Sequence, residues 1–308
     1  WGNMLDTLKG DWTSSQQHHY GIAGGVASTL IYYNKSMFDK AGIKTVPTDF
    51  TAFLAACAQL KKAGFVPIVW NGGFPNMLGN GPFSSGFANA VAARHPQWKA
   101  QLADGRLNLD TPEVEEIFAR IKRIPDLGYV QKDYLHTSYD EGIRLFNEGK
   151  AAMTFQGTWA SGLLMNGHGF KTGIMLPPWN DAGQSTVPVI GSETGFGVSE
   201  TSNKAASLKF LEFIYDEGFV IQQNKRQNIP PLKKTSGVMI SDPQVVAYVK
   251  NISAAPVTAG LYYAFLPANT IELLHPLLQD VLFGTRTPRQ AAKALDDSIK
   301  TEARNRNR

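Results

Sequence analysis

The chain has 308 residues, of which 43% are hydrophobic and 18% charged, with a formal net charge of +4. That length exceeds one ordinary domain and suffices for two with sizeable cores, and the composition excludes a disordered chain. The charge is too mild for a nucleic-acid partner, no Lys/Arg-rich helix is interleaved with aromatics, and no apolar run is long enough to cross a bilayer.

Cys57 is the only cysteine, which excludes an internal disulfide and a cysteine-based zinc site. On the apolar face of a helix it reads as a small buried hydrophobe. His18 and His19 are adjacent, point in different directions and lack a third ligand nearby, so they read as a surface loop and no metal is expected. The sequence starts at Trp1 with neither an initiator Met nor a signal peptide, as a mature or trimmed product would.

In chain order, 1–20 shows no clear periodicity. Thr29 to Tyr33 reads as a strand, with one of Tyr32 and Tyr33 facing the core. Asn34 to Gly42 reads as a short helix, inside the run LIYYNKSMFDKAGI. Thr48 is a plausible N-cap for a helix carrying Phe50, Phe53, Leu54, Cys57 and Leu60 and ending at Gly64. Phe65 to Trp70 is a strand, with a loop at Asn71-Gly72-Gly73-Phe74-Pro75. Phe83 to Ala93 is an apolar helix. Thr111 and Pro112 start a helix as N-cap and first-turn Pro, with Val114, Ile117, Phe118 and Ile121 on its face.

The central stretch is Gly149 to Trp159, GKAAMTFQGTW. Ser138 and Glu141 form a capping-box pattern for a helix that stops at Gly149. Ala151 to Gln156 is a buried strand, and Gly157-Thr158-Trp159 is a turn into another helix. A Trp behind a glycine and a hydroxyl at a strand end places a flat apolar face and polar groups where open α/β sheets bind ligands; the alternative is that Trp159 caps the core. Thr172 to Leu176 is a strand before the loop Pro177-Pro178-Trp179. Gly191 to Ser199, GSETGFGVS, is a glycine-punctuated strand. Ser202 opens a helix carrying Leu208, Leu211 and Ile214, ending at Gly218. Asn228-Ile229-Pro230-Pro231 forms a loop. Asp242 and Pro243 cap one helix, and Thr287 and Pro288 cap the last, with Ala291, Leu295 and Ile299 inside. The basic tail after Lys300 reads as frayed and solvated. Strands and helices alternate, so the class is α/β.

GKAAMTFQGTW, LIYYNKSMFDKAGI, the Thr-x-x-x-Phe helix before Gly64 and the following strand, and the Asn228 loop resemble, in order, family 1 of the extracellular solute-binding proteins, maltose-binding-protein-like sugar binders of ABC importers. The resemblance implies a type II periplasmic-binding fold: two hinge-linked α/β lobes that close over a ligand. It places 29–194 and 242–308 in the C-terminal lobe, and leaves 1–28 and 195–241 as a remnant of the N-terminal one. Members begin with a βαβαβ half-lobe, on the order of 100 residues, that this sequence lacks; the chain is a fragment or the piece is supplied elsewhere. The small lobe would then expose a sheet edge and apolar surface.

Sugars offer C–H faces to aromatic rings and hydroxyls to Asn, Asp, Glu, Gln, Arg or backbone groups. By family position Trp159 would stack on a sugar, with Gly157 and Thr158 admitting the backbone. Trp70, Asn71 and Phe74 would line the same cleft, Glu193 would accept hydroxyls, Asn228 would face in from the small lobe, and Asn269 would add a contact. The alternatives are that Phe74 packs its loop, Glu193 pairs with a basic residue, and Asn269 caps the following helix. The partners implied are a carbohydrate and a membrane permease, for a monomer in the periplasm or anchored outside the cell as a lipoprotein, with no cofactor.

Two rivals remain. A glycosidase needs two facing carboxylates; Glu193 could be one, but Asp181 follows a Pro-Pro loop and Glu141 is explained by capping. No Gly-x-Ser-x-Gly elbow with a triad, HExxH or phosphate loop is present, so the chain is not expected to be an enzyme. The same fold could bind an oligopeptide, polyamine or organic anion; one acid and no Arg at the expected cleft favour a neutral polyhydroxylated ligand.

Overall fold

The computed structural model describes all residues except 15, 167–168, 202, 217–230, 232–243, 245–246, 249–250, 253–254 and 307–308. A helical turn Asp6–Lys9 and a 3-10 turn Gly10–Trp12 lead into strands β1 (Ile22–Ala23) and β2 (Val26–Asn34), helices α1 (Lys35–Lys40) and α2 (Phe50–Lys62), and strand β3 (Ile68–Val69). Helical turns follow over 76–92, then α3 (Trp98–Ala103), α4 (Pro112–Asp126) and α5 (Tyr139–Asn147). Strands β4 (Met153–Gly157), β5 (Thr172–Met175), β6 (Ile190–Ser192) and β7 (Gly195–Phe196) precede α6 (Lys204–Ile214), α7 (Ala268–Phe283) and α8 (Pro288–Arg306).

The chain divides into two compact units. The first comprises Trp1–Ser28, Gly157–Leu163 and Ile190–Ala254; the second comprises Thr29–Gln156, Leu164–Val189 and Ala255–Arg308. The chain therefore changes unit at 28/29, 156/157, 163/164, 189/190 and 254/255.

In the first unit β1 and β7 pair antiparallel, Ile22 opposite Phe196, and β6 pairs antiparallel with the first three residues of β2. Trp12 Nε1 donates to Ser192 Oγ at 2.9 Å, and Asp11 accepts from the Ser192 N–H. The strand expected over Gly191 to Ser199 is broken at Glu193 and Thr194 into β6 and β7. Of the α6 residues expected inside, Ile214 is buried and Leu211 half-buried, but Leu208 is 45% exposed.

In the second unit the sheet order is β3-β4-β2-β5, with β3 parallel to β4 and β5 antiparallel to β2. Along β2 the side chains alternate faces: Tyr32 is fully buried, whereas Tyr33 is half-buried against Phe38. Helix α8 packs on α4 and α7. Val114, Ile117, Phe118 and Ile121 are buried on α4, and burying each such side chain contributes about 1.5–3 kcal/mol. The burial of Cys57 pushes its thiol well above the ordinary range.

Local signals placed several helix starts. Asn34 accepts from the Met37 N–H before α1, Thr111 from Val114 before α4, Ser138 from Glu141 before α5, and Thr287 from Gln290 before α8. For α2 the cap is Asp49, which accepts from the Ala52 N–H at 2.8 Å, and not Thr48. The carbonyl of Thr48 is instead held by Asn180. The tail expected to fray continues α8 as far as Arg306, because Ala303 is buried one turn past Ile299. Ser202, Gly218 and Asp242-Pro243, expected to bound helices, lie outside the described residues.

Candidate functional site

The site built from the first unit starts at the end of β4. The 3-10 turn Thr158–Ala160 follows, and Ser161–Met165 continues as a helix. Thr158 is 2% exposed; its hydroxyl donates to the Val26 carbonyl at 2.8 Å and accepts from the Ser28 N–H at 3.2 Å. The hydroxyl's one donor and one of its lone pairs tie the turn to β2. At Gly157 the indole of Trp159 lies where a Cβ would stand. From Ala151 to Ala160 every residue is buried except Trp159, which is half-buried. Glu193 is also half-buried, and its N–H donates to the Gly25 carbonyl at 3.1 Å.

In the second unit the loop after β3 brings Trp70, Asn71 and Phe74 together. Trp70 is 2% exposed, packs on Tyr134 and Phe155, and its buried Nε1 has no partner among the described residues. The Gln131 side chain pins its backbone, accepting from the Trp70 N–H and donating to its carbonyl. Asn71 is 2% exposed and its Nδ2 donates to the carbonyls of Ser138 and Tyr139, at the start of α5. Its amide holds a helix in place and offers no donor outward. Phe74 is 40% exposed and meets Tyr139 edge-on at 5.7 Å.

Asn269 is exposed as the second residue of α7, whose N-cap is Pro267, so Asn269 does not cap that helix. Asn228 lies outside the described residues. Trp159 and Glu193 thus belong to the first unit, and Trp70, Asn71, Phe74 and Asn269 to the second.

The sequence reading passed over Gln131, Tyr134 and Tyr139, which support Trp70 and Phe74. The aromatic spacing between Tyr129 and Tyr139 was the available signal. Burial of Tyr134 raises its phenol pKa, with Asp126 adding a smaller push, so it stays neutral.

Of the acids weighed for catalysis beside Glu193, both are in ion pairs. Asp181 pairs with Arg94 and Arg120, and Glu141 with Arg144. Among the described residues no cluster of three or more metal-ligating side chains occurs. No helix of these residues is long and apolar enough to cross a membrane.

A family model described as bacterial extracellular solute-binding protein matches residues 2–251. A binding protein of Brucella abortus (strain 2308) is 24% identical over 296 residues, covering 92% of this chain and 67% of the relative. An ABC transporter extracellular-binding protein of Pyrococcus horikoshii is 25% identical over 253 residues, covering 77% of this chain and 52% of the relative. The chain thus spans about two thirds and about half of these relatives. Among solved structures, a chitin oligosaccharide binding protein is similar with a TM-score of 0.84 at 22% identity, covering 98% of this chain and 75% of that one. The solute-binding protein RafE in complex with raffinose gives 0.80 at 17% identity, covering 97% and 78%. These likenesses are of fold, a mixed α/β architecture shared with two-lobe binding proteins.

Proposed function

Because the chain belongs to the bacterial extracellular solute-binding protein family, we propose that it captures a mono- or oligosaccharide outside the cytoplasmic membrane and delivers it to the permease of an ABC importer. The family match supports a binding protein rather than an enzyme, and the Pyrococcus relative is named for an ABC transporter. The fold neighbours named for chitin oligosaccharide and raffinose support the sugar class. We assign 1–28 and 195–241 to the N-terminal lobe and 29–194 and 242–308 to the C-terminal lobe. The protein acts as a monomer, in the periplasm or tethered outside the cell by a lipid.

The single observation that carries the sugar reading is Trp159. It alone keeps surface in an otherwise buried stretch, at a strand end, with its ring held over a glycine. A half-exposed indole fixed in this way offers a stacking face to the C–H side of a sugar. Glu193 supplies an acceptor on the same unit. On the second unit Phe74 and Asn269 are the expected residues that keep surface, while Trp70 and Asn71 shape their loop from beneath.

The test is thermal unfolding of the chain against a panel of mono- and oligosaccharides, with an oligopeptide and a polyamine as controls. A ligand that binds only the native state raises the melting temperature by mass action. A shift with one sugar class, reduced in Trp159→Ala by about 1–3 kcal/mol of binding energy, supports the reading. A shift with the peptide or polyamine alone makes the ligand a different solute. Steady release of product from chromogenic glycosides would make the protein a hydrolase.

A further inference from the structure

The second unit holds a concave pocket of about 220 Å³ that shares no residue with the clusters around Trp159 and Trp70. Its apolar lining comes from Ala90, Pro112, Ile117 and Trp179. Trp179 is 2% exposed, and its buried Nε1 has no hydrogen-bond partner among the described residues.

The polar lining is an alternating chain of charges. Glu113 lies 3.9 Å from Arg94, Arg94 lies 3.3 Å from Asp181, Asp181 binds Arg120, and Arg120 lies 3.1 Å from Glu116. Arg123, outside the pocket, ends the series 3.6 Å from Glu116. Within the lining three carboxylates meet two guanidiniums, and Arg123 outside the pocket balances the third, so every carboxylate has a cationic partner. The chain is anchored as well as balanced. The Arg120 guanidinium sits 4.8 Å from the Phe50 ring centre and donates to the Trp179 carbonyl. The Asn180 amide donates to the carbonyls of Thr48 and Gln184, fixing the loop that carries Asp181.

Carboxylates and guanidiniums held in this way keep free lone pairs and N–H groups in set directions, which suits vicinal hydroxyls. Gln184 adds a side-chain amide with no partner among the described residues. The volume is below the roughly 300 Å³ at which pockets for drug-sized ligands begin, which limits the occupant to about one ring. We propose that this pocket is a second binding site for a single neutral sugar ring, separate from the ligand site assigned to Trp159. The polar lining is partly exposed, so water competes and millimolar affinity is expected.

The test uses protein labelled with nitrogen-15, which has six indole N–H signals to follow by NMR. Trp179→Phe and Trp159→Phe identify two of them. D-glucose, putrescine and sulfate are then titrated separately. The expected result is a saturable shift of the Trp179 signal with glucose that persists in Trp159→Ala. Asp181→Asn, which breaks the charge chain, and Ala90→Phe, which fills the pocket, should each weaken it at least tenfold while the variants still melt cooperatively. No saturable movement of the Trp179 signal with glucose would overturn the proposal, as would movement with putrescine or sulfate alone. Failure of the Trp159 reading is seen separately, as a Trp159 signal that no saccharide moves.

Discussion

The indole ring of Trp159 occupies the space that the Cβ of any residue but glycine would need at position 157. The ring is therefore held by its own strand end, and its orientation depends on a residue two positions earlier. Gly157→Ala should push the ring aside and lower sugar affinity about as much as Trp159→Ala does, by about 1–3 kcal/mol. Isothermal titration of both variants checks this; full affinity in Gly157→Ala would show that ring position is unimportant.

Asn71 and Gly142 stand in the same relation. A Cβ on Gly142 would run into the Asn71 carboxamide, which is bound to the Ser138 and Tyr139 carbonyls. In an exposed helix Gly→Ala gains up to about 1 kcal/mol. Here Gly142→Ala should instead lower the melting temperature, because the amide must move. Combined with Asn71→Ala the same change should be neutral or stabilising relative to Asn71→Ala alone. A double-mutant cycle in urea measures the reversal.

Thr158 bridges two backbone groups of β2 with one hydroxyl. Thr158→Val keeps the shape and leaves a buried N–H and a buried carbonyl each short of that partner. The expected loss is about 1–3 kcal/mol of stability. Thr158→Ser should retain most of it, and chemical unfolding of the pair separates the hydroxyl from the methyl.

His275 contacts the Tyr262 hydroxyl at 2.7 Å, and burial lowers its pKa below the ordinary histidine value. Burial also pushes Tyr262 up to about 12, so the phenol stays protonated. A histidine whose folded pKa is depressed binds its proton more readily in the unfolded chain. Its contribution to stability is complete above the unfolded pKa of about 6.5 and is lost as pH falls through the folded value. His275→Gln should flatten the dependence of melting temperature on pH below about 6.5. An unchanged slope would show that His275 does not carry this linkage.

Some of this architecture was legible locally. Thr111-Pro112, Ser138 and Thr287-Pro288 announced helix starts because capping hydrogen bonds span only three residues. The buried strand before Trp159 and the amphipathic α4 were legible because apolar periodicity records which face meets the core. The GKAAMTFQGTW stretch also pointed to the family that the comparison found.

Other features were decided only in three dimensions. Thr48 and Asp49 are both acceptable caps, and Asn180, far along the chain, claims the Thr48 carbonyl. Asn71 looked like a ligand contact until its amide met the start of α5. The basic tail looked solvated until Ala303 was buried on α8. Arg94 and Asp181, 87 residues apart, had no reason to be read together. The sequence by itself determined the α/β class, several helix starts and the Trp159 stretch, because those rest on neighbours within a turn or a strand. Only the tertiary structure decided which polar side chains keep a free hydrogen-bonding group, because each distant partner uses donors and acceptors that a local pattern leaves open.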